Sequence, residues 1–400
     1  MLCVRWEDMK SHRILFSLLS LSLAASLCAS PLPAGEGPAP APPAAATSEV
    51  QSDAFALQAF QHLLKEQKGN VVFSPAGLEG ALQLLQQGAR GKVAEELAAL
   101  SVGKWEGGSA MQVCEANALF VEEDLKLKPG VKVDAVIRAP FATDLEKSKT
   151  LINEWADKNT HGMIPKLDVG IDEETRLVAA TAIALEEKWL APFLPQKNSE
   201  RNFHLSDGST KKVCMMMCKS GYFSYAEDED WAAVALFYET DGRPGTPGCF
   251  IGILPKGDAR AFAAGLTPEK MSAIRGQLDA SKNQMVEVNL PKFETSTPTY
   301  SLKSVLQACG VHTAFLPGAD FSGFADEELV LKEVRQKCFV KVDEEGTKAA
   351  AVTEFGYALG APPGPRPEPK VITFDRPFLW VIGDLTTPAA PWFMGLCEEP

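Results

Sequence analysis

The chain has 400 residues, of which 46% are hydrophobic and 23% charged, so it has enough apolar material for a large core and is not a disordered chain. Its formal net charge is −13, and its lysine and arginine residues are not clustered. This charge balance argues against a nucleic acid or a heparin-like partner, because both are polyanions.

The first residues predict export from the cytoplasm. Residues 10–13 (KSHR) and the apolar run at 14–25 resemble the charged and apolar parts of a secretory signal peptide, and the run is too short to span a bilayer. We therefore assign residues 1–29 to a signal peptide and expect a secreted protein, extracellular or periplasmic. Cys28 offers the alternative of a lipid anchor, which the bulky Leu27 before it disfavours.

A linker and a single domain are predicted after the signal peptide. Residues 30–48 are rich in proline and alanine and cannot bury enough surface to fold, so we expect a disordered linker. No second linker interrupts the chain, and no later apolar run reaches membrane-spanning length. Residues 49–400 are therefore predicted to form one domain without a membrane span.

Hydrophobic patterning predicts an α+β fold with mainly antiparallel or mixed sheets. Between residues 52 and 100, two helices flank a short strand at 70–73, and the Ser74-Pro75 step opens the second helix. Later strands and helices do not alternate strictly, which favours α+β over α/β. The predicted strands are 115–122, 176–185, 232–238, 249–254, 285–290, 337–342 and 378–383, and the predicted helices lie near 148–160, 259–275 and 302–309.

The sequence predicts neither a metal site nor an enzyme. Of the nine cysteines, those beyond the signal region are odd in number and indicate no disulfide framework. Cys214 and Cys218 have the spacing of two metal ligands on one helical turn, but no histidine or second cysteine pair accompanies them, which favours buried cysteines among methionines. The five histidines lie in no motif, and no hydrolase or phosphate-loop motif occurs, so no cofactor is expected.

The segment between the predicted strands at 337–342 and 378–383 is the most informative part of the chain. It is longer than ordinary loops, and such segments are usually functional or disordered. Residues 346–361 contain no proline, so every backbone N–H there could join a sheet, and Gly346 provides a pivot before them. Five prolines between residues 362 and 369 keep the rest extended and unpaired. A flexible surface loop is the alternative that composition alone favours.

This segment resembles the reactive-centre loop and hinge of the serpins, and further motifs extend the resemblance over nearly the whole globular chain. They occur in the family's order, which makes a chance match implausible. They are Phe73-Ser74-Pro75 of the shutter, residues 152–164 of helix F, residues 189–193 (WLAPF) and 290–293 (LPKF) of the breach, and the motifs at 320–323, 374–378 and 393–395.

The resemblance implies a serpin fold, with a large mixed β-sheet A, further sheets B and C and about eight helices. Helix D is expected to be reduced or absent, because the chain between Leu100 and Asn117 is short. The implied function is suicide-substrate inhibition of serine-type endopeptidases, as in secreted serpins of bacterial type. The cleaved reactive loop, about residues 344–373, would insert into sheet A and trap the acyl-enzyme. A non-inhibitory serpin acting as a binding or chaperone protein is the alternative. We expect a monomer that is not an enzyme and needs no heparin.

The resemblance also assigns roles to individual residues. Small residues in the hinge would enter the sheet without steric delay, as an inhibitor requires. Glu344 is expected to pair with Lys292. The hinge comprises Glu344, Glu345, Gly346, Thr347, Ala349, Ala350 and Ala351, and the breach and shutter contain Trp189, Lys292, Ser74, Thr181 and Gln336.

Three positions depart from the family pattern. Thr181 and Gln336 stand where the family usually has asparagine and histidine, so a different hydrogen-bond pair is expected there. Glu187 stands where the family usually has glycine.

The family's loop spacing implies a reactive bond at Gly360-Ala361, or at Leu359-Gly360 if the loop is one residue shorter. Leu359 is the better bait, and it suits the apolar pockets of elastase-like or chymotrypsin-like proteases. Arg366 would suit a trypsin-like protease, but Pro367 after it hinders cleavage.

Overall fold

The computed structural model describes residues 48–100, 110–129, 131, 135–282, 284–296, 298–347, 368–386 and 391–400. The predicted signal peptide and most of the predicted linker lie outside these residues. So do Ala349, Ala350 and Ala351 of the hinge and the predicted reactive bond at Leu359, Gly360 and Ala361. Residues 101–109 are also outside them, so the expectation for helix D stays a prediction.

The helices begin where the sequence provides caps. Ser74 accepts a hydrogen bond from the Gly77 N–H and precedes Pro75 in the first turn of the second helix, as predicted. Thr267 caps a helix in the same way, so the predicted helix at 259–275 is in fact two helices. Within the described residues the α-helices are α1 (Ser48–Glu66), α2 (Pro75–Gly88), α3 (Gly91–Ala99), α4 (Leu145–Asn159), α5 (Ala259–Ala264), α6 (Pro268–Ala280) and α7 (Lys303–Ala308).

The strands include all the predicted ones, the short strand at 70–73 among them, and others that the sequence pattern did not indicate. They are β1 (Val71–Phe73), β2 (Val113–Glu122), β3 (Val136–Ala139), β4 (Leu177–Leu185), β5 (Glu187–Lys188), β6 (Ser199–His204), β7 (Thr210–Glu227), β8 (Trp231–Phe237), β9 (Gly248–Pro255), β10 (Gln284–Pro291), β11 (Phe293–Ser296), β12 (Tyr300–Ser301), β13 (Leu331–Val342), β14 (Gly346–Thr347), β15 (Lys370–Thr373), β16 (Phe378–Asp384) and β17 (Phe393–Cys397).

These strands form two large sheets, which confirms the α+β fold. The first sheet runs β3-β2-β4-β13-β14-β5, and β11 and β12 also pair with β13. Its pairing is mixed, because β2 and β4 are antiparallel whereas β4 and β13 are parallel. The second sheet runs β1-β17-β16-β9-β8-β7-β10-β15, and β6 pairs with β7.

The first sheet is covered on both faces. One face shares an apolar cluster with the second sheet, in which Val340 of β13 packs with Phe250 and Trp380. On the opposite face, Ile152 of α4 packs in a cluster with Ala180 of β4. A strand that entered this sheet would therefore become part of the protein interior.

The structure corrects the interpretation of Cys214 and Cys218. Both lie on β7, where residues four apart are separated by about 13 Å, so they do not share one helical turn. Cys214 is also exposed, not buried among methionines as predicted, and Cys218 is only half-buried. In the described ranges we find no metal-binding group of His, Cys, Asp and Glu, and no helix there is long and apolar enough to cross a membrane.

Candidate functional site

The candidate site is a seam in the centre of the first sheet. We use this name for the parallel pairing of β4 with β13, from Leu177 and Leu331 at one end to Ala184 and Phe339 at the other. Beyond Phe339, β13 continues to Val342 with a different neighbour. The seam is therefore closed along its length and open at one end.

Strand β14 occupies the open end. Thr347 pairs with Val342 of β13 on one side and with Glu187 of β5 on the other, and both pairings are antiparallel. Gly346 pairs with Lys188. Two predicted hinge residues thus already form a short strand between the two halves of the sheet.

Close packing fixes both residues of β14. A Cβ atom at Gly346 would lie 2.0 Å from the Glu187 carbonyl oxygen, so only glycine fits this position. Thr347 is fully buried, and its Oγ1 lies 2.8 Å from the Tyr238 hydroxyl. The Tyr238 ring in turn stacks on Trp189, with ring centroids 4.7 Å apart.

The turn before β14 is bound by the segment that follows β5. The indole Nε1 of Trp189 donates to the Asp343 carbonyl at 2.9 Å. The backbone N–H groups of Trp189 and Phe193 donate to the carbonyls of Glu345 and Glu344, each at 2.9 Å. The predicted breach residue Trp189 therefore contacts the hinge through both its ring and its backbone.

Glu344 forms the predicted ion pair. Its Oε2 lies 2.6 Å from Lys292 Nζ, and its Oε1 accepts a hydrogen bond from Asn198. Burial alone would raise the pKa of Glu344, but the hydrogen bonds from Lys292 and Asn198 outweigh it and hold this pKa below its usual value. The carboxylate is thus charged at neutral pH and ties the hinge to the end of β10.

Glu187 forms a second and more deeply buried ion pair. Its oxygens accept two hydrogen bonds from the Arg243 guanidinium, at 3.0 Å and 2.9 Å, and a further one from the Gln112 N–H. Glu187 is only 3% exposed. Burial raises its pKa above the usual value even though these hydrogen bonds act in the opposite direction.

The predicted shutter residues lie about 20 Å from β14, six residues along β13. Thr181 and Gln336 face each other across the seam. Gln336 makes two hydrogen bonds with the Ser74 backbone, each at 2.9 Å. Its Oε1 accepts from the Ser74 N–H, and its Nε2 donates to the Ser74 carbonyl. Thr181 instead donates to Asn117 at 2.8 Å and lies 3.2 Å from the Gly77 carbonyl oxygen. Thr181 and Gln336 thus bind separate partners, Asn117 and Ser74, and do not replace the family's usual pair with a bond to each other.

Two carboxylates lie beside these shutter residues. Glu79 of α2 is 3% exposed, and burial together with the charge of Glu115 raises its pKa to about 7. Glu115 accepts a hydrogen bond from Asn117, the partner of Thr181. The shutter therefore contains a group that titrates near neutral pH.

The residues after α4 cross the outer face of the seam. Lys337 of β13 donates from Nζ to the Lys166 carbonyl at 2.8 Å. The Leu167 N–H donates to Asn153 of α4 at 2.9 Å. A strand that widened the seam would have to displace this covering.

Sequence reasoning missed Tyr238, Arg243 and Asn117. Their partners lie 109, 56 and 64 residues away along the chain, and no local pattern links such distant positions. One signal was available at Glu187, which follows the apolar run of β4. A carboxylate at a buried position requires a cation or several donors, so a distant arginine could have been sought.

Comparisons with known proteins agree with this architecture. Residues 50–400 match a family model described as Serpin (serine protease inhibitor). An uncharacterised serpin-like protein of Thermococcus kodakarensis is 32% identical over 368 residues, covering 84% of this chain and 83% of that protein. Plasminogen activator inhibitor 1 of Bos taurus is 30% identical over 428 aligned positions, covering 96% of this chain and 98% of that protein. The structure is also similar in fold to human thyroxine-binding globulin in complex with thyroxine, with a TM-score of 0.76 at 22% identity over 88% of this chain and 98% of that one.

Proposed function

The chain belongs to the serpin family, whose members generally inhibit serine proteases and are not themselves enzymes, and we propose that it inhibits such proteases by inserting its cleaved loop into the seam. The observation that carries the proposal is β14, which pairs with β13 on one side and with β5 on the other. A cleaved loop would only have to extend this strand.

The pairing pattern supplies a driving force for insertion. A strand that continued β14 along β13 would run antiparallel to both β13 and β4, and would replace one parallel ladder by two antiparallel ones. Antiparallel ladders are slightly more stable per residue, and twice as many backbone groups would be paired. The uncleaved protein thus stores free energy that cleavage of the loop releases.

The register of β14 also defines how far the loop would reach. Continued residue for residue, the Thr347-Val342 register brings Thr353 opposite Gln336 and Ala358 opposite Leu331, at the far end of β13. The inserted strand would then end just before Leu359. Residues 349 and 351, both alanine, would face the interior beside Val340 and Cys338, where larger side chains would have no room.

Inhibition would follow from competition between two steps. The protease serine attacks the carbonyl of the bait residue, releases the amine of the next residue and leaves an ester. If insertion is faster than hydrolysis of this ester, the protease is carried along the sheet and trapped. We propose Leu359 as the bait residue and an elastase-like or chymotrypsin-like enzyme as the target.

The test is a mixture of the purified protein with chymotrypsin or pancreatic elastase. We expect a covalent complex stable in SDS and a released peptide that begins at Gly360 or Ala361. A peptide beginning at Pro367 would indicate a trypsin-like target instead. Cleavage at any of these bonds with no complex, and no rise in heat resistance after cleavage, would contradict inhibition and favour the non-inhibitory binding or chaperone role.

We also propose that the protein acts outside the cytoplasm, as most serpins do, after removal of residues 1–29. N-terminal sequencing of the exported protein tests this proposal. A new N-terminus near Ala29 to Pro31 is expected, whereas lipid on Cys28 would support the anchored alternative. Elution of the protein at the volume of a single chain in gel filtration would support a monomer.

A further inference from the structure

We infer that Arg243 is a positioning residue for the inhibitory reaction, because through Glu187 it fixes the short strand on which the hinge is already paired. The inference rests on the proposed function for its kinetic consequence, but its structural part can be tested without a protease. Among the described residues, Arg243 reaches the hinge through Glu187, whose strand β5 pairs with β14.

Strand β5 is too short to hold its own position. It has two residues, and an isolated pair of such length has little stability in water. Yet β5 is the partner on which both residues of β14 depend on this side. Its position must therefore be set by contacts from elsewhere.

A single segment after β8, residues 238–243, supplies contacts to both β5 and β14. The Tyr238 hydroxyl bonds to Thr347, and the Glu239 N–H donates to the Lys188 carbonyl at 2.8 Å. Arg243 completes the set by binding the Glu187 carboxylate. The segment thus contacts β14 at one residue and β5 at both of its residues.

The guanidinium of Arg243 is itself rigidly held. Its Nε donates to the Thr240 carbonyl at 2.8 Å, and one terminal nitrogen donates to the Glu239 carbonyl at 2.9 Å. The turn that brings it there includes Asp241 and Gly242 with φ angles of 48° and 74°. Because the donors are fixed before the carboxylate binds, the ion pair can define the position of Glu187 instead of adapting to it.

Within the part of the chain that the structure describes, loss of Arg243 would leave the buried Glu187 carboxylate with the Gln112 N–H as its remaining donor. Removing one partner of a buried ion pair is strongly destabilising, because the other charge remains desolvated. Glu187 would then move toward water and take the backbone of β5 with it. As the Glu187 carbonyl packs directly against Gly346, β14 would lose its neighbour and leave the sheet.

A hinge outside the sheet would have to find the open end after cleavage, while the ester is already exposed to hydrolysis. Insertion would start later, and more of the inhibitor would be consumed as substrate. The rate at which the protease first cleaves the loop should not change, since the contacts that Arg243→Met alters are those to β5 and β14.

The experiment compares Arg243→Met with Lys92→Met, which removes an exposed ion pair to Glu95 within α3. In Arg243→Met we expect amide hydrogen exchange in residues 343–347 to be at least about tenfold faster, and the number of inhibitor molecules consumed per trapped chymotrypsin to rise about threefold or more. In Lys92→Met both quantities should equal those of the wild type. Unchanged exchange in Arg243→Met would overturn the inference.

Two further variants separate positioning from general damage. In Glu187→Met/Arg243→Met no charge is left buried, so exchange should fall back toward the wild-type rate. Exchange no slower than in Arg243→Met alone would contradict the ion-pair argument. Tyr238→Phe keeps the ring stacked on Trp189 but removes the bond to Thr347, and we expect it to shift both readouts in the same direction as Arg243→Met. If the wild type trapped no protease, the proposed function would fail, but the exchange data would still decide whether Arg243 positions β5 and β14. If Arg243→Met exchanged faster but consumed no more inhibitor per trapped protease, the inference that this positioning speeds insertion would be overturned.

Discussion

The two regions of the seam, its open end and its middle, are held by different kinds of contact. At the open end an extra strand is already in place, and charged groups are paired around it, Glu187 with Arg243 and Glu344 with Lys292. In the middle, β4 and β13 are paired with each other, and the neutral side chains of Gln336 and Thr181 bind the start of α2. If the cleaved loop inserts as we propose, its entry is prepared at the open end, and the resistance to insertion lies in the middle of the seam.

The middle would resist insertion because both strands are attached to the same turn at residues 74–77. Gln336 of β13 is bonded to Ser74, and Thr181 of β4 lies within hydrogen-bond distance of the Gly77 carbonyl. An inserted strand would separate β4 from β13 by about 5 Å more than now. The bond of Gln336 to Ser74 and that of Thr181 to Gly77 cannot both persist at that separation. At least one of them must break.

The largest effect is expected from breaking the open end with Thr347→Arg. Thr347 is fully buried, and an arginine there would place an unpaired charge inside the sheet or force the hinge out. We expect the yield of SDS-stable complex to fall at least about tenfold, with the protein cleaved as a substrate instead. Thr347→Ser keeps the hydroxyl that meets Tyr238 and should behave as the wild type. Unchanged complex yield in Thr347→Arg would show that pairing of β14 is irrelevant to inhibition.

The middle of the seam is tested by Gln336→Leu. The substitution removes both hydrogen bonds to Ser74 and leaves the buried Ser74 N–H without this acceptor, whereas the Ser74 carbonyl keeps its bond from the Leu78 N–H. The unsatisfied N–H costs about 1–3 kcal/mol and the second lost hydrogen bond about 1 kcal/mol, so we expect the free energy of unfolding in urea to fall by roughly 2–4 kcal/mol. Thr181→Ser retains its hydroxyl and serves as the control on the facing strand. An effect of Gln336→Leu no larger than that of the control would mean that Gln336 does not hold the middle closed.

The same contrast explains what could be predicted from sequence. β4, β9 and α4 could be predicted because apolar side chains fill the two strands and recur at helical spacing in α4, which directly reflects their burial. β7 was missed because charged residues, methionines and cysteines do not alternate clearly along it. The first half of β13 was missed because Lys332, Glu333 and Arg335 have low strand propensity, although alternate positions along the strand are buried.

The site shows the same limit. Motif resemblance located Trp189, Lys292 and Glu344, because each stands in a segment with a family pattern. It did not indicate that β14 is already paired, since the pairing depends on β5 and on residues 238–243, which are distant in sequence. Hydrogen bonds between such segments follow from tertiary packing and leave no local signature.

A smaller, pH-dependent effect is expected in the middle of the seam from Glu79→Gln. The pKa of Glu79 is raised from 4.5 to about 7 in the folded protein. The resulting stabilisation is fully present below the unfolded pKa and is lost as the pH rises through 7, where the buried carboxyl ionises beside Glu115. We expect the variant to be more stable than the wild type at pH 8, by on the order of 2 kcal/mol, and to lose this advantage at pH 5. Urea unfolding at both pH values measures it. Glu154→Gln on the exposed side of α4 is the control, and pH profiles that run parallel in wild type and Glu79→Gln would contradict the assignment.

The smallest effect is expected from Lys292→Met at the open end. The ion pair to Glu344 is short, but Lys292 is 39% exposed, so we expect its loss to lower the free energy of unfolding by only about 1 kcal/mol at pH 7. The sign of the pH dependence is opposite to that of Glu79. Because the pKa of Glu344 lies below its usual value, its stabilisation is present above the unfolded pKa and is lost as the pH falls through the folded one. The difference between wild type and variant should therefore shrink toward pH 3.

Lys332→Met provides a matched control for Lys292→Met. Lys332 lies 2.6 Å from Asp172 and is also 39% exposed, but its partner is 50% exposed whereas Glu344 is 9% exposed. If burial of the carboxylate determines the strength of the pair, Lys332→Met should destabilise the protein less than Lys292→Met. It should also leave amide exchange in residues 343–347 unchanged, since Lys332 lies at the opposite end of β13 from the residue that pairs with β14. Equal effects of the two variants would mean that Lys292 contributes as an ordinary surface charge, and that the open end is held by β5 and residues 238–243 without help from β10.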